Sequence, residues 1–303
     1  MTGLVRPNKL GEAQVNSIKH MTSRPMFYYI YYYMGKPQSK LSSNQGLKKA
    51  LLIGVNYIED PSNKLEGCIN DVKNVKNQIS KFYPKCSEFR SLTDDSVKLN
   101  EKPTRQNIID GINWLVKDLK AGEHVYFHYS GHGGLTVDLN KDEKSGMDSC
   151  IYPINGKNIE IILDDELKIL LANKIPAGSK CFVVLDCCHS GSGLDLRFNI
   201  QCPSYGKLIV SQETKYEKTR GSVIFLSGCM DTQTSADTVN HKNEPSGALT
   251  NALLDVWNTY GMNIQFKHLL WDIRKLLKER QYEQIPQLSC GSSLDINDIF
   301  SLN

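Results

Sequence analysis

KCFVVLDCCHSGSG (180–193) and HVYFHYSGHGG (124–134) are the two stretches of the sequence that decide its fold. Each contains a continuous apolar run, which is typical of a strand buried on both faces of a parallel sheet. Each then passes into glycines and small polar residues, which indicate the end of the strand and the start of a loop. The runs KKALLIGVNY (48–57) and SVIFLSGC (222–229) predict two more strands of the same kind.

Amphipathic segments alternate with these strands. Apolar residues recur at helical spacing in five segments, 68–82, 103–119, 164–175, 247–260 and 266–280. By contrast, 199–220 is polar with no clear element, and the proline in QIPQLSCG (284–291) predicts a last strand at the edge of the sheet. Strands that alternate with helices predict an α/β fold, with a mostly parallel central sheet covered on both faces.

The first part of the chain, 1–46, lacks both helical and strand periodicity, and we expect an N-terminal arm followed by one large domain over 47–303. The arm contains MFYYIYYYM (26–34), whose nine residues fall short of the roughly 20 that a membrane-spanning helix needs. This aromatic run favours burial. The sequence leaves open whether the arm covers the active site or docks on a remote face.

Composition narrows the classes of function. The chain has 303 residues, 40% of them hydrophobic, a net charge of +3 and nine cysteines. The small net charge argues against a nucleic-acid partner. An odd number of cysteines without a Cys-x-x-Cys pair argues against a disulfide framework and against a structural zinc site. We therefore expect a cytoplasmic protein in a reducing compartment, where a thiol can serve as a nucleophile.

His132 and Cys188 each follow one of the two central strands. Sites in such sheets lie beyond the carboxyl ends of the strands, so both side chains are expected in one crevice. An imidazole can take the proton of a thiol and later give it to a leaving amine. The backbone N–H groups of Gly133 and Cys188 are candidates to bind the developing oxyanion. Alone, each residue would more often be structural; together they favour catalysis.

The motif YSGHGG, with DCCHSGS placing Cys188 56 residues after His132, resembles the metacaspases, which are cysteine peptidases of the caspase fold. The resemblance extends from about 48 to 294 through LEGCINDV, PTRQNI, FLSGC and PQLS. It implies a caspase-like three-layer α/β/α sandwich and an endopeptidase that cleaves proteins or peptides through a thioester acyl-enzyme. The family places the nucleophile directly before His-Ser-Gly, which selects Cys188 over Cys187.

The resemblance also implies cleavage after Arg or Lys in an acidic pocket. The family's four pocket positions match Cys68, Asp71, Ser130 and Asp186 in this sequence. A guanidinium or ammonium that leaves water needs a carboxylate partner, which explains the two acids. Asp186 lies two residues before Cys188, so in a strand both would point to the same side. A solvated acid on a helix is the ordinary alternative for Asp71.

Many metacaspases need calcium, and the family's aspartates match Asp148, Asp164, Asp165 and Asp195. Calcium prefers several carboxylate oxygens as ligands. The residues alone leave a plainer interpretation open, because Asp164 and Asp165 begin a predicted helix, where acids also stabilise the helix end. With all four positions acidic, Ca²⁺ is the expected cofactor.

The family pattern divides the domain into a large-subunit-like part, 47–198, a linker, 199–220, and a small-subunit-like part, 221–303. The linker carries basic residues that are either self-cleavage points or ordinary solvated side chains, namely Lys207, Lys215, Lys218 and Arg220. The short linker resembles type I metacaspases rather than type II, which have a long insert there; the reduced leader departs from the Pro-rich or zinc-finger leader that type I members often carry. Because metacaspases are generally monomers, we expect a monomer.

Three other interpretations stay open at this point. A legumain-like or separase-like peptidase would share the fold but differ in the residue preferred before the scissile bond. A catalytically silent scaffold would use the fold for interaction, which the intact His132 and Cys188 pair argues against. A redox-sensing role for Cys187 and Cys188 ranks last, because neighbouring cysteines form strained disulfides.

Overall fold

The computed structural model describes residues 46–86, 88–139, 141, 146–154, 160–188, 190, 193–205, 207–228, 237–240, 244–293 and 299–302. The predicted arm, 1–46, therefore lies outside the described residues apart from Gly46, which begins the first strand. Everything that follows concerns the body of the chain.

Fifteen strands and five α-helices lie in the described residues. In chain order they are β1 (Gly46–Gly54), α1 (Cys68–Phe82), β2 (Glu88–Thr93), α2 (Arg105–Val116), β3 (Glu123–Ser130), β4 (Gly133–Val137), β5 (Met147–Ile151), β6 (Ile162–Leu163), α3 (Asp164–Leu170), β7 (Lys180–Asp186), β8 (Phe198–Ser204), β9 (Lys207–Gln212), β10 (Ser222–Ser227), β11 (Asp237–Val239), β12 (Pro245–Gly247), α4 (Ala248–Tyr260), β13 (Ile264–Gln265), α5 (Phe266–Glu279), β14 (Gln287–Cys290) and β15 (Ile299–Phe300). All five predicted helices and all four predicted buried strands are present.

A central sheet organises the body. Within the described ranges it has eight strands in the order β2-β1-β3-β7-β10-β14-β8-β9. The strands from β2 to β10 are parallel, and the last three strands add on antiparallel. Strands β3 and β7 are neighbours at the middle, where Ser130 pairs with Asp186. The mostly parallel sheet that the sequence predicts is confirmed.

Helices cover both faces of this sheet, as a three-layer sandwich requires. Apolar side chains of α1, α4 and α5 share one core cluster, and those of α2 and α3 share the other. Successive residues of a strand point to opposite faces. Leu52 of β1 therefore belongs to the first cluster, whereas Ile53 belongs to the second. Since both faces are filled, the ends of the strands are left for a site.

Two expectations about the last strands are wrong. The segment 199–220 does contain regular structure, because β8 and β9 form a hairpin there. Strand β9 is exposed along most of its length, so its polar sequence resembles a loop. QIPQLSCG does not form an edge strand, because β14 lies between β10 and β8. Its proline, Pro286, precedes the first residue of the strand, where the missing N–H breaks no ladder bond.

Among the described residues, no helix combines the length and the hydropathy that a membrane span requires.

Shortening Leu52 tests the packing of the core. Leu52 is completely buried in β1. Leu52→Ala should lower the free energy of unfolding by about 2–5 kcal/mol, because it removes buried methyl groups and leaves a cavity. Urea denaturation followed by circular dichroism measures the change. Leu99→Ala is the matched control, since Leu99 is 80% exposed; an equal loss in both variants would contradict the packing described here.

Candidate active site

The carboxyl ends of β3 and β7 bring His132 and Cys188 to the same edge of the sheet. Ser130 and Asp186 are directly paired as the last residues of their strands, and each of the two candidate residues lies two positions past the end of its own strand. Backbone contact continues past the strands: a Cβ on Gly133 would lie 2.3 Å from the carbonyl oxygen of Cys188. The loop after β3 therefore rests against the loop after β7, with glycine required at the contact.

Two tyrosines hold the loop that carries His132. The His132 backbone N–H donates to the Tyr57 hydroxyl over 2.9 Å, and the Tyr129 hydroxyl donates to the His132 carbonyl over 2.7 Å. The Tyr57 ring also packs on the imidazole, with 4.6 Å between the ring centroids. The backbone and the ring of His132 are therefore both fixed from one side.

The tautomer of His132 follows from a third contact. Its Nε2 lies 2.7 Å from the backbone carbonyl oxygen of Asn63. A carbonyl oxygen only accepts hydrogen bonds, so this contact requires the proton on Nε2. Nδ1 is then the ring nitrogen with a lone pair, and it is the atom that can accept a proton from a thiol.

The candidate catalytic residues differ from the neighbouring cysteine and histidine in how deeply they are buried. Cys187 is 2% exposed and belongs to a core cluster, whereas Cys188 is partly exposed. A Cβ on Gly133 would lie 2.8 Å from the Cys187 sulfur, which places this sulfur beneath the loop. His128 is completely buried, and desolvation lowers its pKa to about 3. These differences favour Cys188 and His132 as the pair that a substrate can reach.

Two buried carboxylates lie behind the strand ends. Asp71 on α1 is completely buried and Asp186 at the end of β7 is 4% exposed. The Ser130 hydroxyl donates to Asp71 Oδ2 over 2.6 Å. A Cβ on Gly247 would lie 2.2 Å from Asp186 Oδ2 and 2.9 Å from Asp71 Oδ2, so both acids converge on this glycine. Three of the four predicted pocket residues, Asp71, Ser130 and Asp186, are thus brought together.

The two acids repel each other. Burial raises the pKa of Asp71 well above its usual range, and the charge of Asp186 raises it further. Hydrogen bonds from Ser130, Ser246 and the Gly247 backbone oppose this rise, because they favour the ionised carboxylate. Ionisation of both acids at once is therefore unfavourable unless a cation lies nearby.

Cys68, the fourth predicted pocket residue, is the first residue of α1 and is 3% exposed. It lies three positions before Asp71, so both side chains share one face of the helix. Its backbone N–H donates to the side-chain oxygen of Asn56 over 2.9 Å. This contact holds the start of α1 beside the loop after β1.

Several residues of the site were missed from the sequence. Ser246 donates to Asp71 Oδ1 over 2.6 Å, and the backbone N–H of Thr250 donates to Asp186 Oδ2 over 2.8 Å. A serine and a glycine before a predicted helix resemble an ordinary helix start, which hid this contact. Asn63 contributes a backbone carbonyl, which any residue type provides, and Tyr57 is one aromatic among many.

Three of the four predicted calcium ligands are close to one another. Asp148 on β5, Asp164 at the start of α3 and Asp195 after β7 are each less than 5% exposed. Burial and the charges of Asp195 and Asp148 raise the pKa of Asp164 to about 8. The Ser149 backbone N–H donates to Asp164 Oδ2 over 2.9 Å. We call Asp148, Asp164 and Asp195 the acid cluster.

Protein groups already contact part of the acid cluster. The Tyr216 hydroxyl donates to Asp195 Oδ1 over 2.7 Å, and Lys168 Nζ lies 3.8 Å from Asp195 Oδ2. Asp165 is less buried than its neighbour, and its backbone N–H donates to Asp164 Oδ1 over 3.0 Å. In the part of the chain that the structure describes, no three His, Cys, Asp or Glu side chains are already arranged as metal ligands.

A small cavity lies between Asp164 of the acid cluster and the start of the loop that follows β7. Its lining comprises Ser149, Cys150, Ile151, Asp164, Leu167, Leu185, Cys187, Ser190 and Gly193. Asp164 and Cys187 face this same cavity. Asp164 of the acid cluster therefore shares a cavity with Cys187, the residue directly before Cys188.

Among the solved structures with a similar fold are two proteins from different organisms. Protein GSU0716 from Geobacter sulfurreducens is 25% identical, with a TM-score of 0.59 over 82% of this chain and 95% of that chain. Caspase-1 from Spodoptera frugiperda is 12% identical, with a TM-score of 0.55 over 86% of this chain and 92% of that chain. The second likeness shows the fold alone, and it confirms the caspase-like architecture.

Sequence relatives identify the family. Residues 48–197 match the family model described as "Metacaspase, peptidase C14 domain". Metacaspase-1 of Schizosaccharomyces pombe is 35% identical over 87% of this chain and 72% of its own length. Metacaspase-1B of Aspergillus fumigatus is 34% identical over 96% of this chain and 81% of its own length. The chain therefore belongs to the metacaspase family of cysteine-type peptidases.

Proposed function

We propose that this metacaspase is a calcium-dependent endopeptidase that cleaves proteins or peptides after Arg or Lys, with Cys188 as the nucleophile and His132 as the base. The observation that carries the proposal is the pairing of Ser130 with Asp186. It sets both candidate catalytic residues at one edge of the sheet and two carboxylates directly behind them.

The chemistry assigned to the pair is acyl transfer. His132 Nδ1 takes the proton from Cys188, and the thiolate attacks the carbonyl carbon of the scissile bond. The backbone N–H groups of Gly133 and Cys188 are proposed to hold the oxyanion. The imidazolium then protonates the leaving amine, and a thioester remains on Cys188. A water molecule that His132 deprotonates cleaves the thioester and restores the thiol.

Preference for a basic residue is supported by the charge of the pocket. Asp71 and Asp186 are buried side by side and repel each other. A guanidinium or ammonium between the substrate and this pair would relieve the repulsion and satisfy its own need for a partner. An acidic side chain would add a third negative charge, so the cleavage of caspase-type Asp substrates is disfavoured.

Calcium is supported by the chemistry of the acid cluster. Asp148, Asp164 and Asp195 offer hard oxygen donors whose mutual repulsion favours a bound cation, and Asp165 would complete the set. When bound, calcium would add positive charge to that of Lys168. Lys168 and Tyr216 contact Asp195 from the protein side and would compete with the metal for that carboxylate.

The remaining predictions concern processing, assembly and location. Lys215, Lys218 and Arg220 are exposed in the loop after β9, where a protease can reach an extended backbone. Lys207 belongs to β9 and must leave the sheet before cleavage. A monomer in the cytoplasm stays our prediction. A silent scaffold is the second candidate, and the accessible Cys188 beside His132 argues against it.

Replacing the two adjacent cysteines separates the nucleophile from its neighbour. Cys188→Ala should lower kcat/KM on a fluorogenic peptide ending in Arg by at least about 1,000-fold, because no other thiol can form the acyl-enzyme. Cys187→Ala is the matched control, and should keep the rate within about threefold while it lowers stability by roughly 1 kcal/mol. A loss confined to Cys187→Ala would show that the assignment is reversed.

Removing one acid tests the pocket. Asp186→Asn should lower kcat/KM on the Arg peptide by about 100-fold, because a buried guanidinium loses a charged partner. The melting temperature should not fall, because the substitution also removes the repulsion between Asp186 and Asp71. Kinetics and thermal unfolding, measured together, distinguish this from simple loss of folding. A melting temperature that falls in step with the rate would contradict the assignment.

Calcium dependence is tested by chelation and by one cluster variant. EGTA should reduce the rate, and Asp164→Asn should weaken calcium binding at least about tenfold in isothermal titration calorimetry, because it removes a charged ligand. Asp95→Asn is the matched control, since Asp95 is exposed and far along the chain from the cluster. A rate unchanged by EGTA, with no heat of calcium binding, would remove the metal from the proposal.

A further inference from the structure

We infer that Ser246 is a positioning residue of the basic-residue pocket, whose hydroxyl holds the Asp71 carboxylate in place as the inner negative charge for a substrate Arg or Lys. This inference rests on the proposed function and deepens it. It adds a residue of β12 to a pocket otherwise built by α1, β3 and β7.

The hydrogen bonds to Asp71 are the first observation. Ser246 Oγ donates to Asp71 Oδ1 over 2.6 Å, and Ser130 Oγ donates to Asp71 Oδ2 over 2.6 Å. Each carboxylate oxygen of Asp71 therefore accepts a hydrogen bond from a different serine. Ser246 is completely buried, as Asp71 is, so the hydroxyl contacts no solvent that could replace it. A short hydrogen bond to a buried carboxylate is among the stronger ones in proteins.

The backbone next to Ser246 completes the same arrangement. The Gly247 N–H lies 3.1 Å from Asp71 Oδ1 and 3.0 Å from Asp71 Oδ2. Any Cβ at Gly247 would collide with Asp186 and Asp71, at 2.2 and 2.9 Å. The segment Pro245–Gly247 therefore packs directly against both carboxylates, and we call it the floor of the pocket.

This floor is fixed to the elements that carry the acids. Asn70 on α1 donates from its side-chain amide to the Pro245 carbonyl over 3.0 Å. A Cβ on Gly67 would lie within 2.8 Å of the Ser246 backbone, so these two backbone segments are in direct contact. The Ser246 hydroxyl is therefore held in a defined position relative to α1 and cannot follow Asp71 if the carboxylate turns.

Holding Asp71 matters because its neighbour repels it. Without the Ser246 hydroxyl, Oδ1 keeps only the longer contact with the Gly247 N–H, so the carboxylate is freer to rotate away from Asp186 or to take up a proton, and either change removes negative charge from the pocket. Ser130 restrains only the other oxygen. Loss of the Ser246 hydroxyl should then weaken recognition of a charged side chain and leave the chemistry at Cys188 intact.

The test compares Ser246→Ala with wild type on two peptides that differ in one residue. One peptide has Arg before the scissile bond, and the other has citrulline, which has the same shape without the charge. For Arg, Ser246→Ala should raise KM about tenfold and leave kcat within about twofold, because ground-state and transition-state binding are lost together. For citrulline, both constants should stay unchanged.

Two controls separate this role from a structural one. Ser179→Ala also removes a buried hydroxyl, which donates to the Lys120 carbonyl over 2.8 Å at the opposite end of β7. It should leave the ratio between Arg and citrulline as in wild type. The rate at which iodoacetamide alkylates Cys188 reports an intact site, and it should be equal in wild type and Ser246→Ala.

Each other outcome overturns the inference. Equal losses on Arg and citrulline, a fall in kcat alone, or an unchanged KM for Arg would each show that Ser246 has no part in charge recognition. In those cases a wild type that prefers Arg leaves the proposed function standing. A wild type that cleaves citrulline as well as Arg overturns both the proposed function and this inference.

Discussion

Parallel pairing of β3 with β7 sets the geometry at the carboxyl edge of the sheet. Ser130 opposite Asp186 is the last pair of this ladder. A shift by one residue would turn Ser130 and Asp186 to opposite faces, since side chains alternate along a strand. Side chains of both strands are packed into cores on the two faces of the sheet, so such a shift would also disrupt that packing. The site thus depends on the register of two central strands.

The acidic pair ties together parts of the chain that are far apart in sequence. Asp71 accepts hydrogen bonds from Ser130, 59 residues away, and from Ser246, 175 residues away. Each donor offsets the cost of a buried charge. As a result, α1 and β3 from the first half of the chain meet the segment Pro245–Gly247 at these carboxylates. A chain cut in the loop after β9 would still be held together there and by the pairing of β7 with β10.

The acid cluster also brings buried carboxylates close to one another, but their protein partners differ from those of Asp71. Around Asp71, neutral hydroxyl and amide donors favour the ionised carboxylate and oppose the rise in its pKa that burial and Asp186 cause. Around Asp195, by contrast, Lys168 contributes a positive charge and Tyr216 a hydroxyl. Tyr216 belongs to the segment after β9. The two groups of acids differ accordingly in their partners: neutral donors contact Asp71, whereas a lysine lies beside Asp195.

Local patterns were sufficient for the helices, the buried strands and the strand-end positions of His132 and Cys188, because apolar periodicity and glycine-rich strand ends depend on neighbouring residues only. They failed for the hairpin of β8 and β9 and for the interior place of β14, which depend on partners elsewhere in the sheet. The contact of Asn63 with His132 and that of Ser246 with Asp71 arose only in the folded chain. A backbone carbonyl has no residue signature, and one serine hydroxyl acquires its role from the carboxylate that folding brings beside it.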